Sequence, residues 1–541
     1  MSLKLLKSTL TVGGMTLVSR ITGLIRDIAF AQFLGTGLMA DAFFVAFRIP
    51  NFFRRIFAEG AFSAGFIPVY AEFESRYSEH QVKAFLDLMA GRFGLVLLGL
   101  TLLGVVGAPG LVSVIAPGFG DNPEKYHATV GALRFTFPYL MLVSLVAMAG
   151  AILNTRDRFA VPAVTPVLLN FCLIGAVFGL LPLMANAAVA LSLSVLVAGF
   201  IQLGFQLPFL RIERRLPRPR VVAKGEQGQV GSAGVRRVFT LMVPALFGVS
   251  VAQINLLVNT ILASFLVTGS VSWLYYSDRL MEFPLGVFGI ALATVILPAL
   301  STQVAENSNG IYFRTIDWAL GLVMIVTIPA MVALASLAYP LMVVLFNYGE
   351  FSSDDALMAS YSLIAFSPGL LGFVVVKVLA PGFYARKDTR TPVRVGIVAM
   401  LVNALAAGVL TLVFQLGHVG LALATSISGL LNAILLYHYF TRDTGYRPSI
   451  GNNQRGRGSR SGGFVARVAL ASAIMGFVLF QVTGEPQGWV SSSVIERVIR
   501  LMMWIGLGSV VYFVCLYLLG IRLHDFSRPD RPYIDDRTDR S

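Results

Sequence analysis

Long apolar segments recur along almost the whole chain and constrain its fold more than any other feature. Only 13% of the 541 residues are charged, whereas about 25% of the residues in a soluble domain are. A helix needs roughly 20 apolar residues to cross the hydrocarbon of a bilayer. The chain is therefore predicted to be an all-α polytopic membrane protein with about fourteen transmembrane helices. The predicted spans are residues 8–33, 38–68, 84–115, 128–153, 159–183, 187–210, 238–266, 271–301, 312–338, 355–383, 393–415, 418–440, 464–482 and 497–520.

Basic residues are concentrated in alternate connections between these spans. With Lys4 and Lys7 placed in the cytoplasm, the even-numbered connections carry most of the Lys and Arg, and the odd-numbered ones hold little besides Lys125. Cytoplasmic loops of membrane proteins carry such an excess, so both termini are predicted to be cytoplasmic. The same distribution accounts for the net charge of +14 and argues against a nucleic-acid partner.

The first twelve spans look like two repeats of six. Motifs of the first half reappear in the second about 230 residues later, and six helices return the chain to the same side of the membrane. Repeats of this kind are related by an axis along the membrane normal. We therefore expect two six-helix lobes, related by pseudo-twofold symmetry around a central cationic cavity, and two extra C-terminal helices. The matching residues are Arg48, Phe52, Pro68, Asp157 and Pro162 with Arg279, Phe283, Pro298, Asp388 and Pro392.

Two loops rich in Gly, Ser, Pro and Arg are typical of flexible linkers and set the predicted domain boundaries. The predicted domains are 1–213 (N-lobe, helices 1–6), 214–237 (basic cytoplasmic linker), 238–441 (C-lobe, helices 7–12), 442–463 (basic cytoplasmic linker), 464–520 (helices 13–14) and 521–541 (cytoplasmic tail).

The stretch from Ser19 to Glu59 combines membrane-quality apolar runs with eight charged residues. Each charge costs about 2.5 kcal/mol or more at the bilayer centre, so the stretch is predicted to line a polar cavity. Four of the eight, Asp41, Arg48, Arg55 and Glu59, fall on one helical face, although Pro50 is expected to interrupt it. The full set is Arg20, Arg26, Asp27, Asp41, Arg48, Arg54, Arg55 and Glu59, and the second half supplies Asp278, Arg279, Glu282 and Lys377.

The arginine surplus of the first lobe favours an anionic ligand, because guanidinium grips phosphate through two parallel hydrogen bonds. The alternative is that these arginines form structural ion pairs with Asp27, Asp41 and Glu59, or reach the cytoplasmic interface. Sequence motifs for ATP hydrolysis, zinc binding or nucleophilic catalysis are absent. Cys172 and Cys515 lie in apolar runs. We therefore predict a transporter and not an enzyme, with no cofactor and no metal site.

Three long motifs resemble the MurJ (MviN) family of lipid II flippases. They are RDIAFAQFLGTGLMADAFFVAFRIPNFFRRIFAEGAFSAGFIPVYAE, SWLYYSDRLMEFPLGVFGIALATVILPALS and KVLAPGFYARKDTRTPV. The resemblance implies the multidrug/oligosaccharidyl-lipid/polysaccharide exporter fold in the bacterial inner membrane, with the last two helices forming a groove for the undecaprenyl tail. It also implies functional cavity positions at Arg20, Arg26, Asp41, Arg54 and Arg279, and it matches Glu59 to the acidic residue of the AEGA segment.

The expected function is flipping of lipid II by alternating access. In this hypothesis Arg20, Arg26 and Arg279 bind the pyrophosphate and Arg54 guides the headgroup inward, while Asp27, Asp41 and Glu59 hold the arginines apart. Membrane lipids and cell-wall synthesis enzymes are further candidate partners, and a monomer is expected. Two alternatives stay open: an exporter of drugs or of another polyprenyl-linked glycan, and a non-transporting scaffold for cell-wall enzymes. Some members of the family use a sodium site, but Asn255 and Asn259 stand on helix seven in place of an acidic residue.

Overall fold

The computed structural model describes residues 3–286, 290–306, 308–448 and 461–521, which are helical with short connections and contain no strand. The predicted all-α fold class is confirmed. By length and composition, ten helices in this part of the chain could cross a membrane. The other predicted spans are residues 8–33, 38–68, 238–266 and 271–301, and the total of fourteen stays a prediction.

The first of two compact units comprises the described residues within Met1–Tyr275 and Phe346–Asp355. A π-helical turn, Arg55–Ala61, joins its second and third helices. Its helices are α1 (Leu3–Leu34), α2 (Leu38–Arg54), α3 (Phe62–Arg76), α4 (Glu79–Val106), α5 (Ala108–Ile115), α6 (Pro123–Thr136), α7 (Tyr139–Thr155), α8 (Ala160–Gly179), α9 (Ala187–Ile212), α10 (Gly225–Ser264) and the start of α11 (Ser270–Pro284).

The second unit comprises the described residues within Tyr276–Leu345 and Ala356–Ser541. It holds most of α11 and the C-terminal pair of membrane helices. Its further helices are α12 (Ile290–Ala305), α13 (Asn309–Ser336), α14 (Ala338–Phe346), α15 (Ser353–Ala385), α16 (Arg390–Gly408), α17 (Gly417–Thr444), α18 (Ser461–Thr483), α19 (Gln487–Val490) and α20 (Val494–Leu518).

The internal repeat is visible in the helix boundaries. Helices α4 and α13 each contain 28 residues, and they begin about 230 residues apart. Helix α2 is followed by the π-helical turn at 55–61, and α11 is followed by π-helical residues at 285–286. The second repeat therefore reproduces the interruption of the first.

Aromatic stacking and close helix contacts hold the core of the first unit where α3, α4 and α10 meet. The ring of Phe62 stacks on Phe66 at 4.8 Å and on Phe93 at 4.6 Å. A Cβ atom on Gly231 or Gly234 of α10 would lie 2.9 Å from atoms of Phe85. Glycine thus lets α10 approach α4 closely. Residues 225–237, which lie in the predicted linker, form the first turns of α10.

The rest of the first predicted linker is bound to α4 by one buried carboxylate, that of Asp87. Its Oδ1 accepts hydrogen bonds from the Lys83 ammonium at 2.8 Å and from the Arg218 backbone N–H at 2.6 Å. The Asp87 carbonyl accepts the N–H of Arg220 at 2.9 Å. This segment of the chain is therefore held in a fixed position against α4.

Helix α2 is continuous through Pro50 and ends at Arg54. Proline has no N–H to donate to the carbonyl of Ala46, and the Thr136 hydroxyl of α6 donates to that oxygen instead, at 3.1 Å. The π-helical turn that begins at Arg55 adds a residue to the turn and rotates the side chains after it. Arg55 is exposed whereas Asp41 is fully buried, and the predicted single face from Asp41 to Glu59 stays a prediction.

The C-terminal pair of the second unit packs against α13. A Cβ on Gly476 of α18 would lie 2.5 Å from the Val332 side chain, so glycine is required for this approach. The Tyr512 hydroxyl of α20 donates to the Ile325 carbonyl at 2.6 Å. These contacts fix the pair to the lobe, while the rest of α20 exposes large apolar side chains such as Met502 and Phe513.

Candidate functional site

Asp41 is the most completely bonded of the charged residues that the sequence pattern singles out. It lies in the first turn of α2 with no exposed surface. Its Oδ1 accepts the backbone N–H of Ser272 at 3.0 Å and the Ser272 hydroxyl at 2.7 Å, and its Oδ2 accepts the N–H of Gly269 at 2.9 Å. These donors lie at the start of α11, where a helix presents unpaired N–H groups and positive dipole. The carboxylate thus connects the first repeat to the first turn of α11 in the second.

The cation that balances Asp41 is Lys125, at 2.8 Å between Nζ and Oδ2. Lys125 lies in the first turn of α6, where its N–H bonds the Asn122 side chain at 3.1 Å. The Lys125 side chain is 5% exposed, and its ammonium lies 4.2 Å from the Phe119 ring centroid. Such a ring face stabilises a desolvated cation. From the sequence, this lysine is only a loop charge.

A second buried network surrounds Arg26 and Asp27 of α1. Arg26 donates to Asp27 Oδ1 from Nε at 3.0 Å and from Nη2 at 2.7 Å. Its Nη1 donates to the Asn170 side-chain oxygen of α8 at 2.9 Å. The Tyr275 hydroxyl donates to the same Asp27 oxygen at 2.7 Å and accepts from Arg26 Nη2 at 3.1 Å. Arg26 is therefore saturated by protein partners, as the structural ion-pair interpretation predicts for this one arginine.

The other arginines between Ser19 and Glu59 are less buried. Arg48 of α2 donates to the Thr260 hydroxyl of α10 at 3.3 Å, and Arg54 donates to the Asn51 side chain at 3.1 Å. Arg20, Arg48 and Arg54 are half-buried. The side chain of Glu59 lies outside the described residues.

In the second unit the predicted residues are more exposed than Asp41 and Arg26. Arg279 and Glu282 of α11 pair with each other at 3.1 Å, and their side chains are 36% and 41% exposed. Asp278 is half-buried beside them in sequence, and Lys377 of α15 is exposed. Arg279 is therefore accessible to a ligand to an extent that Arg26 is not.

The structure brings together some of the predicted residues and adds three that the sequence pattern does not indicate. Asp27 pairs with Arg26, as the alternative of structural ion pairs expects, but the partners of Asp41 among the described residues are Lys125 and the α11 donors, with no arginine. Lys125, Asn170 and Tyr275 complete the two networks. Lys125 had only a weak signal in the sequence, since it is one of the few cations in the odd-numbered connections. Polar residues such as Asn170 and Tyr275 had none. Within the described ranges, no group of three or more potential ligands is arranged to hold a metal ion.

Known proteins of one family are similar to this chain along nearly its whole length. A family model described as "Lipid II flippase MurJ" matches residues 30–499. A protein of Vibrio cholerae named "Probable lipid II flippase MurJ" is 43% identical, over 97% of this chain and 98% of its own length. A protein of Burkholderia cenocepacia named "Lipid II flippase MurJ" is 36% identical, over 97% and 99%.

The fold of the chain is also similar to that of solved membrane transporters. "Lipid II flippase MurJ, inward closed conformation" is similar with a TM-score of 0.75 and 27% identity, covering 94% of this chain and 98% of that one. An inward-facing multidrug transporter of the MATE family has a TM-score of 0.66 at 13% identity, over 79% and 94%. The second likeness concerns the fold alone.

Proposed function

The chain belongs to the MurJ family of lipid II flippases, and we propose that it moves lipid II from the cytoplasmic to the periplasmic leaflet of the bacterial inner membrane. The observation that carries this function is similarity to flippases over almost the entire length of both chains. The protein is a transporter and not an enzyme, and it crosses the membrane many times.

The chemistry of the headgroup explains why arginines lie in membrane helices. Lipid II carries a pyrophosphate, two sugars and a peptide, all too polar to cross hydrocarbon without hydrogen-bonding partners. We assign Arg20 and Arg279 to the pyrophosphate, and Arg54 to guiding it from the cytoplasmic side. Arg26 joins them only after Asn170 or Tyr275 releases it, because those residues occupy its guanidinium.

Alternating access assigns a different role to Asp41. With the N-terminus in the cytoplasm, the start of α11 and the first turn of α2 lie at the periplasmic end of their helices. The bonds from Asp41 to Ser272 and Gly269 then hold that end closed. They break when the start of α11 moves away from α2, and the carboxylate recaptures the helix end when the headgroup has left.

In the proposed mechanism, the C-terminal pair of helices binds the lipid tail. Helices α18 and α20 lie against α13, and the exposed apolar side chains of α20 suit the undecaprenyl chain while the headgroup is in the cavity. The chain has no ATP-binding loop, so the driving force comes from an ion gradient, the membrane potential or consumption of the product. One charge moved through 100 mV is worth about 2.3 kcal/mol.

Depletion of the protein in growing cells tests the function directly. Lipid II is expected to accumulate in the cytoplasmic leaflet, inaccessible to a periplasmic probe that cleaves or labels its headgroup. Restored expression is expected to return it to the periplasmic leaflet. Normal periplasmic exposure of lipid II during depletion would refute the proposal, and a scaffold for cell-wall enzymes would produce that result.

A further inference from the structure

The four donors to Asp41 come from two parts of the chain that alternating access separates. The Ser272 N–H, the Ser272 hydroxyl and the Gly269 N–H belong to the start of the second repeat. The Lys125 ammonium belongs to the first. When α11 leaves α2, three donors leave with it. Whatever is left around Asp41 must come from its own repeat.

Lys125 is fixed to the same body as Asp41. Its backbone carbonyl accepts the Thr129 hydroxyl at 2.7 Å, and its N–H is capped by Asn122. Helix α6, which carries it, is bound to α2 through the Thr136 bond to the Ala46 carbonyl. The contact of Lys125 with the second repeat is the long one, 3.5 Å to the Thr268 hydroxyl. The ion pair therefore survives the separation.

We propose that Lys125 is a positioning residue for the flipping reaction, which rests on the proposed function. It balances the buried charge of Asp41 in the closed state. A desolvated carboxylate without a balancing cation is unstable in low dielectric, whereas opening lets water reach Asp41. Loss of Lys125 leaves three uncharged donors around the buried charge in the closed state. The variant is therefore biased towards the open state.

The test uses a cysteine as reporter, at a serine position next to Asp41 and its four donors. Ser270 is fully buried, and its hydroxyl has no hydrogen-bond partner among the described residues, so Ser270→Cys is expected to change little. The test protein is the full-length chain with Ser270→Cys, Cys172→Ala and Cys515→Ala. The two alanine substitutions remove both native thiols. Labelling by a membrane-impermeant maleimide from the periplasmic side, in liposomes without lipid II, then measures opening independently of the substrate.

Lys125→Met is expected to speed labelling of the thiol at position 270 and to slow flipping of lipid II, by about tenfold each. The charge-preserving control Lys125→Arg is expected to stay within about threefold of the parent in both. Adding Asp41→Asn to Lys125→Met removes the uncompensated buried charge and is expected to return labelling to within about threefold of the parent rate. A labelling rate in Lys125→Met equal to or below that of the parent would overturn the proposal.

The double variant also decides the case in which Lys125→Met fails to insert. Insertion and labelling of Lys125→Met with Asp41→Asn would support the charge-balance role, and failure of both variants would overturn it. The substrate assignment is tested separately. Failure of the parent protein to flip lipid II would refute the proposed function. The difference in labelling between Lys125→Met and the parent would still test the role of Lys125.

Discussion

Helices α2 and α11 hold equivalent places in the two repeats, yet they treat their charged residues in opposite ways. Asp41 of α2 is fully buried and accepts from three backbone or side-chain donors and one ammonium. Arg279 and Glu282 of α11 bind each other and remain 36% and 41% exposed. A buried, saturated carboxylate can hold a conformation. An accessible guanidinium can bind an anion that comes and goes.

In the proposed mechanism, this difference separates the residue that closes the transporter, Asp41, from the one that binds the headgroup, Arg279. Two buried networks in the first unit, around Asp41 and around Arg26 with Asp27, join helices that are distant in sequence. The pair of Arg279 and Glu282 lies within one helix and is partly exposed. Equivalent helices of the two repeats thus hold their charged residues differently, and we expect substitutions in each helix to fail in different ways.

The largest effect is expected from Asp41→Asn. The change leaves the Lys125 ammonium buried without its counterion, and breaking a buried pair costs about 3–5 kcal/mol. Flipping of lipid II should fall at least a hundredfold, and the thermal unfolding temperature should drop, as measured in detergent and in proteoliposomes. Ser272→Ala, which removes one of the four donors, is the matched control and should lose about 1 kcal/mol. Equal losses in the two variants would show that the charge of Asp41 has no special role.

Arg279→Ala should reduce flipping by at least tenfold while leaving the unfolding temperature nearly unchanged. An exposed ion pair contributes only about 0–1 kcal/mol to stability, so the loss falls on ligand binding. Glu282→Gln removes the same pair and keeps the guanidinium, so it should flip at close to the normal rate. A Glu282→Gln protein as inactive as Arg279→Ala would show that the pair itself matters.

Tyr275→Phe examines whether the Arg26 network is structural, as its burial indicates. The ring still stacks on Phe44, 4.0 Å away between centroids, but Asp27 loses a hydroxyl donor. A stability loss of about 1–2 kcal/mol is expected, with a decrease in flipping smaller than that of Arg279→Ala. A larger decrease would place the hydroxyl of Tyr275 on the substrate.

Thr136→Val should have the smallest effect. Valine fills the same space but cannot donate to the Ala46 carbonyl that Pro50 leaves without its helical partner, at a cost of about 1–2 kcal/mol. Flipping at physiological temperature should be almost unchanged. A large loss of transport without a loss of stability would mean that the contact between Thr136 and Ala46 changes during the cycle.

The sequence predicts the membrane class and the repeat, because each depends on local composition. It does not reveal the π-helical turn after α2, since that turn depends on backbone geometry. Residues 225–237 fall in the predicted linker and are helical. Their Gly, Gln and Arg content is typical of a linker, yet Gly231 and Gly234 serve as contact points for α4. The partner of Asp41 comes from a helix 84 residues away, and such pairings depend on tertiary packing alone.

Binding of lipid II to purified Arg279→Ala and Asp41→Asn proteins in nanodiscs distinguishes the two tasks most clearly. If the second repeat holds the headgroup and the first closes the transporter, Arg279→Ala should bind at least tenfold more weakly than the parent. Asp41→Asn should bind with nearly normal affinity and yet fail to flip. Normal binding by Arg279→Ala together with lost binding by Asp41→Asn would contradict this division of tasks.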